Sequence, residues 1–184
     1  MTETERLVDA AARLDAERFV GRAAHLRRVD AAFAGTSDHR IFFVDGPGGV
    51  GKSTLLRAIA RRAVALGRPV VAINGRLLAP DPDALAAAIA PAADDRTLLL
   101  IDEVDELTPL RLELRNLLHR VAPASSVIVL AGRRPLGREW FDGELAPMVA
   151  TIALRPLPPA EGRELLRRYG MTDAARIDAV LAWS

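Results

Sequence analysis

The sequence predicts an α/β fold in which a parallel sheet is covered by helices on both faces. Short, mostly apolar runs recur at residues 41–44, 70–73, 97–101, 127–130 and 149–154, the first of them continuously apolar. Continuous rather than alternating apolarity marks strands buried on both faces. Stretches with apolar residues at helical spacing separate these runs, and strands alternating with helices are the pattern of βαβ units.

The elements follow in chain order. Residues 4–18 read as a helix, because Leu7, Ala11 and Leu14 share one face. The segment Phe19-Val20-Gly21-Arg22 breaks that pattern, and a second helix is expected over 23–33, with Leu26, Val29 and Phe33 on one side. Turn residues at 35–38 end it. The first buried strand, 41–44, runs into a glycine-rich loop, and a helix follows over 52–66 until Gly67 stops it. The strand 70–73 is expected to be buried like the first, and Asp83 to cap a short helix running to Ala90. Strand 97–101 ends in Asp102 and Glu103. Asp105 and Glu106 suit the start of the next helix, where carboxylates complement the dipole. The helix 110–121 carries Leu110, Leu114, Leu117, Leu118 and Val121 at helical spacing. Strands 127–130 and 149–154 complete the sheet, and after Arg155-Pro156-Leu157-Pro158-Pro159 only helices are expected, over 161–169 and from Thr172 to Ser184. The chain thus divides into an N-terminal helix and linker (1–18), a core (19–155) and the start of a helical lid (156–184).

Composition narrows the function classes. The chain has 184 residues, 50% of them hydrophobic and 27% charged, which fits one globular domain at about 150 residues per domain and excludes a wholly disordered chain. Lys plus Arg is 25 against 24 for Asp plus Glu, a near-neutral balance that argues against an obligate nucleic-acid binder, though not against a local basic patch, and no direct nucleic-acid binding is evident. There is no cysteine, so disulfides, cysteine-ligated zinc, iron–sulfur clusters and thiol nucleophiles are excluded. His25, His39 and His119 are scattered without metal-ligand spacing. Residues 1–9 are polar and acidic, without a secretory pattern. The longest apolar stretch, 84–93, is mostly alanine and contains Pro91, well short of the roughly 18 residues that span a bilayer. A soluble, cytoplasmic protein without a membrane partner is expected. Trp140-Phe141 reads as local packing, and Arg61-Arg62 and Arg167-Arg168 as solvated helix faces.

The chemistry concentrates at three places. Gly46-Pro47-Gly48-Gly49-Val50-Gly51-Lys52-Ser53 matches G-x-x-x-x-G-K-[ST] and sits between a strand and a helix, as that motif requires. Glycines let successive backbone N–H groups form an anion nest, and the helix N-terminus adds partial positive charge. Lys52 is the only lysine among 25 basic residues. A compact ammonium reaches the β- and γ-phosphates where the larger guanidinium fork is differently aimed. The Ser53 hydroxyl is expected to ligate Mg²⁺ and Thr54 to touch the α-phosphate. At the end of the third strand, Asp102 is a candidate for holding Mg²⁺ through water, and Glu103 for polarising a water that attacks the γ-phosphate. At the end of the fourth, Arg133 and Arg134 emerge at the sheet edge where ligands bind in open α/β sheets. Arg133, nearer the strand, is the candidate γ-phosphate sensor.

In this order, Val20-Gly21-Arg22, the loop 46–53, the run LLIDEVDEL at 99–107, VLAGR at 129–133 and LRPL at 154–157 resemble the ATPase module of the STAND class of signal-transduction ATPases, close to the AAA+ and Orc/Cdc6-like proteins. The resemblance covers about residues 18–182. It implies a three-layer α/β/α P-loop NTPase with sheet order 5-1-4-3-2 and ATP or ADP with Mg²⁺ as cofactors. It implies that Val20, Gly21 and Arg22 line the adenine pocket through their backbone, and that residues 46–54 hold phosphates. Asp102 would serve Mg²⁺, Glu103 hydrolysis and Arg133 γ-phosphate sensing. Family members carry a G-x-P motif in their helical lid, expected about where Ala182-Trp183-Ser184 stand. The function expected is a Mg²⁺-ATP-dependent switch with slow hydrolysis in a signalling or transcription regulator, working through a protein partner or self-association. Three other readings stay open: a small-molecule P-loop kinase, a non-hydrolysing nucleotide-bound scaffold, and an initiator-type AAA+ ATPase. A guanine-recognising N-K-x-D signature is absent, which favours ATP.

Overall fold

A computed structural model describes residues 6–182. They form two compact units: Ala23–Arg155, and the residues up to Arg22 together with those from Pro156 onward.

The larger unit holds the sheet. Its strands are β1 (Ile41–Asp45), β2 (Val70–Asn74), β3 (Leu98–Asp102), β4 (Val127–Gly132) and β5 (Val149–Ala153), and its α-helices are α2 (Ala23–Phe33), α3 (Lys52–Ala65), α4 (Pro82–Ile89) and α5 (Arg111–Val121). All five strands are parallel and lie in the order β2-β3-β4-β1-β5. Read from the other edge this is 5-1-4-3-2, the P-loop NTPase order expected from the resemblance. Strand alternation divides the core between two faces. Ile41, Phe43, Leu99, Ile101, Ile128 and Leu130 pack with Leu85 and Ile89 of α4 and Leu114 and Leu118 of α5. On the other face α3 packs against β3 and β4, and α2 against α3. Trp140 belongs to the first of these clusters at 1% exposure, whereas Phe141 is exposed.

Several expectations need correction. β2 is not buried like β1, β3 and β4: it is an edge strand, and its residues are half-buried or exposed. The cap of α4 is Asp81, whose carboxylate accepts from Ala84 N at 2.8 Å, while Asp83 sits inside the first turn. The expected helix 110–121 begins at Arg111, after a 3₁₀ segment Val104–Leu110 that contains Pro109. Arg62 is not merely solvated, because it pairs with Asp30 on α2.

The smaller unit contains α1 (Leu7–Glu17), α6 (Pro159–Arg168) and α7 (Ala174–Ala182). The expected first residues of α1 and last residues of α7 lie outside the described residues. Arg168, expected on a solvated face, donates to the carbonyls of Glu17 and Phe19 at 2.9 Å each, and Arg18 stacks over Tyr169. Asp173 caps α7 by accepting from Ala175 N at 2.9 Å. Among the described residues no helix is long and apolar enough to cross a membrane.

Candidate functional site

The strand register brings the chemistry to one edge. Asp45 is level with Gly132, and Asn74 with Asp102. The exits of β1, β4, β3 and β2 therefore open side by side at the carboxyl edge, where parallel sheets bind ligands.

The phosphate loop leaves β1 at Gly46. A side chain there would come within 2.8 Å of the Leu154 carbonyl oxygen, so only glycine lets the loop turn off the sheet against the end of β5. Gly51 precedes α3 with φ 100°, a left-handed conformation that other residues rarely adopt. No side chain caps α3 and its first turn has no acidic residue, so its leading N–H groups and partial positive charge face the loop. Pro47, Gly48 and Gly49 are exposed. Lys52 is 7% exposed, and its Nζ donates to Gly46 O at 2.8 Å and Pro47 O at 3.0 Å. An ammonium has three donors, so the geometry holds the charge beneath the loop and leaves a further donor for a phosphate oxygen. Ser53 is half-buried in the first turn of α3. The Thr54 hydroxyl takes a hydrogen bond from Arg57 at 3.1 Å.

Asp102 ends β3, with Oδ1 accepting from Glu103 N at 2.9 Å. Glu103 has φ 52°, in the left-handed region uncommon for a residue with a side chain. Its carboxylate faces two guanidiniums, Arg76 at 3.5 Å and Arg133 at 4.0 Å. Arg133 also reaches the phosphate loop: a side chain on Gly48 would come within 3.7 Å of the Arg133 guanidinium carbon. Phosphate loop, Glu103 and Arg133, three separate expectations from the sequence, thus meet in space. Arg134 is not among them. It is largely exposed and its Nε lies 3.7 Å from Asp105.

Two residues in this constellation were not expected. Arg76 follows β2 and also lies 3.6 Å from Glu106. Gly75 lets the chain pass there: its N–H donates to Asp102 O at 2.9 Å, and a side chain on it would collide with the Glu103 carbonyl oxygen. Nothing local in the sequence marks Arg76, because its position depends on β2 pairing with β3. Asp105 stands in the first turn of the 3₁₀ segment Val104–Leu110, as expected of a carboxylate at a helix start, and its side chain also turns to the exit of β4, where it accepts from Arg133 N at 2.5 Å and Arg134 N at 3.2 Å.

Val20, Gly21 and Arg22 lie in the smaller unit. A side chain on Gly21 would collide with the Glu161 carboxylate of α6. Burial lowers the Arg22 pKa from the usual arginine value, and the nearby Glu161 opposes the shift.

The residues present fit a magnesium nucleotide. Among the described residues no three or more His, Asp or Glu side chains form a metal-binding group. Mg²⁺, however, commonly takes one or two protein oxygens and completes its octahedron with water and substrate phosphates. Ser53 in the first turn of α3 and Asp102 at the end of β3 supply oxygen donors of that kind.

No curated protein matches the chain. The family model of novel STAND NTPase 5 matches residues 6–140, well over half of the 184. The chain belongs to the novel STAND NTPase 5 family and is a nucleotide-binding NTPase module of the STAND type.

Proposed function

We propose that the chain binds ATP with Mg²⁺, hydrolyses it slowly and acts as a switch whose state is set by the γ-phosphate. The reading rests most on Arg133, whose guanidinium lies between Gly48 of the phosphate loop and the Glu103 carboxylate. A cation so placed gains a partner when a γ-phosphate arrives and loses it on hydrolysis, which is the differential contact a nucleotide switch needs.

The roles divide by position. The loop 46–51 and the start of α3 would bind the phosphates with backbone N–H groups, and Lys52 would neutralise the β- and γ-oxygens. Ser53 and Asp102 would hold Mg²⁺, which supplies charge neutralisation to the phosphates. Glu103 would orient the attacking water and accept its proton. Its carboxylate is engaged by Arg76 and Arg133, so it must be released before it can do so, consistent with low turnover. Through the resemblance to STAND regulators, the switch would report to a protein partner or a second copy of the chain in a signalling or transcription-regulating system.

The test is calorimetric titration of the purified chain with ADP and with a non-hydrolysable ATP analogue, each with Mg²⁺, beside acceptor-free phosphate release from ATP. Binding of both nucleotides that disappears in Lys52→Ala, with slow release of phosphate, is the expected result. A folded wild type that binds neither nucleotide would overturn the reading.

A further inference from the structure

We propose that Asp105 is a positioning residue for the γ-phosphate sensor: its carboxylate fixes the backbone of Arg133 to the turn that carries Glu103. The inference rests on the switch reading above and adds the element that sets the sensor's aim.

Both oxygens of the carboxylate are committed. Oδ2 accepts from Arg133 N at 2.5 Å, and Oδ1 from Arg134 N at 3.2 Å. The side chain is only 13% exposed. Charge-assisted bonds from backbone N–H groups to a shielded carboxylate are among the stronger hydrogen bonds. β4 makes room for it by ending in glycine: a side chain on Gly132 would come within 3.0 Å of Asp105 Oδ2 and 3.1 Å of Val104 Cγ1. The turn that presents the carboxylate is held as well. Glu106 N donates to Glu103 O at 3.1 Å, and the Thr108 hydroxyl to Asp105 O at 2.5 Å. Asp105 is therefore neither a spare metal ligand nor a second base. It ties the exit of β4 to the exit of β3, so the Arg133 guanidinium is held against Gly48 and 4.0 Å from Glu103.

A merely structural carboxylate would affect all nucleotides alike. A positioning residue for Arg133 must act on the γ-phosphate. The experiment measures the affinities of the full chain for the ATP analogue and for ADP in wild type, Asp105→Ala, Asp105→Asn, Arg133→Ala and the Asp105→Ala/Arg133→Ala double variant. Loss of Asp105 is expected to weaken the ATP analogue about tenfold, with ADP within about twofold. The double variant should be no worse than Arg133→Ala, because the two residues act through one contact. Asp105→Asn keeps the volume and one acceptor. It should shift the ratio the same way by about threefold, so a result survives even if the alanine variant does not fold. Equal weakening of both nucleotides, or additive losses in the double variant, would overturn the proposal. A ratio that moves in Arg133→Ala but in neither Asp105 variant would overturn the positioning role and leave the sensing role standing. A ratio unmoved by Arg133→Ala would overturn both.

Discussion

Lys52 is where the requirements of the site are narrowest. The residue is 7% exposed and its ammonium is bonded to two carbonyls of its own loop, in a chain whose other basic residues besides histidine are all arginine. Lys52→Arg keeps the charge but puts a wider planar group into that space. The variant is expected to stay folded, by circular dichroism, and to lose about 10–100-fold in nucleotide affinity by calorimetry, since each lost charged contact is worth about 1.5–3 kcal/mol. Affinity within twofold of wild type would show that only charge matters there. Glu103→Gln removes the base and keeps the shape. It should slow phosphate release by about 10²–10⁴-fold, the usual range for a general base, while ATP still binds. At this scale the site was legible wherever its meaning is local. The loop 46–53 carries its chemistry in consecutive residues, and Asp102, Glu103 and Arg133 follow directly on apolar strands. Asp105 and Arg76 were not legible, because their partners are 28 and 27 residues away along the chain. Only the strand order brings them together.

Between elements, what holds the sheet is shared by side chains that no periodicity reveals. Arg68, just before β2, donates to Phe33 O at the end of α2 at 2.6 Å. It also donates to Arg96 O at 2.9 Å and Ser125 O at 3.2 Å, just ahead of β3 and β4. Its guanidinium stacks over the Phe33 ring. Burial lowers its pKa, the neighbouring Arg96 and Arg40 add to the shift, and Asp95 opposes it. The charge is thus costly to bury, and the three carbonyls offset the cost. Arg68→Met keeps most of the volume and strands those carbonyls. We expect a loss of about 2–4 kcal/mol, a fall in melting midpoint of about 5–15 °C, and an unchanged ratio of ATP-analogue to ADP affinity, since Arg68 lies at the sheet edge opposite the phosphate loop. An unchanged midpoint would mean that the buried charge was already balanced by its desolvation. Element boundaries followed local signals with similar success and failure. α2 runs over the expected Ala23–Phe33 because its apolar face and its terminating turn coincide. The apolar run of β2 predicts a buried strand, yet β2 lies half-buried at an edge, because such a run does not distinguish the edge of a sheet from its centre.

For the molecule as a whole, the family match at residues 6–140 takes in parts of both compact units. The phosphate loop, Asp102, Glu103 and Arg133, however, all lie in Ala23–Arg155. A ligand that binds only the folded state stabilises it by mass action, by about 2.7 kcal/mol at a hundredfold excess over Kd. At about 2–4 °C per kcal/mol for a chain of this size, Mg²⁺ with the ATP analogue should raise the melting midpoint by about 5–11 °C. The rise should vanish in Lys52→Ala and shrink when the metal is chelated. Stabilisation alone does not make a switch, because equal affinity in two states shifts neither. Hydrogen exchange along the whole chain separates the two ideas. Both nucleotides should protect the amides of 46–54, whereas only the ATP analogue should further protect 103–106 and 133–134, the turn and sensor joined through Asp105. A switch must also change exchange in α1, α6 or α7, the helices of the smaller unit, between the ADP-bound and ATP-analogue-bound chain. Identical exchange there in the two nucleotide states would confine the γ-phosphate response to the larger unit, and the module would then be a nucleotide-binding core whose state is not transmitted to its own helical unit.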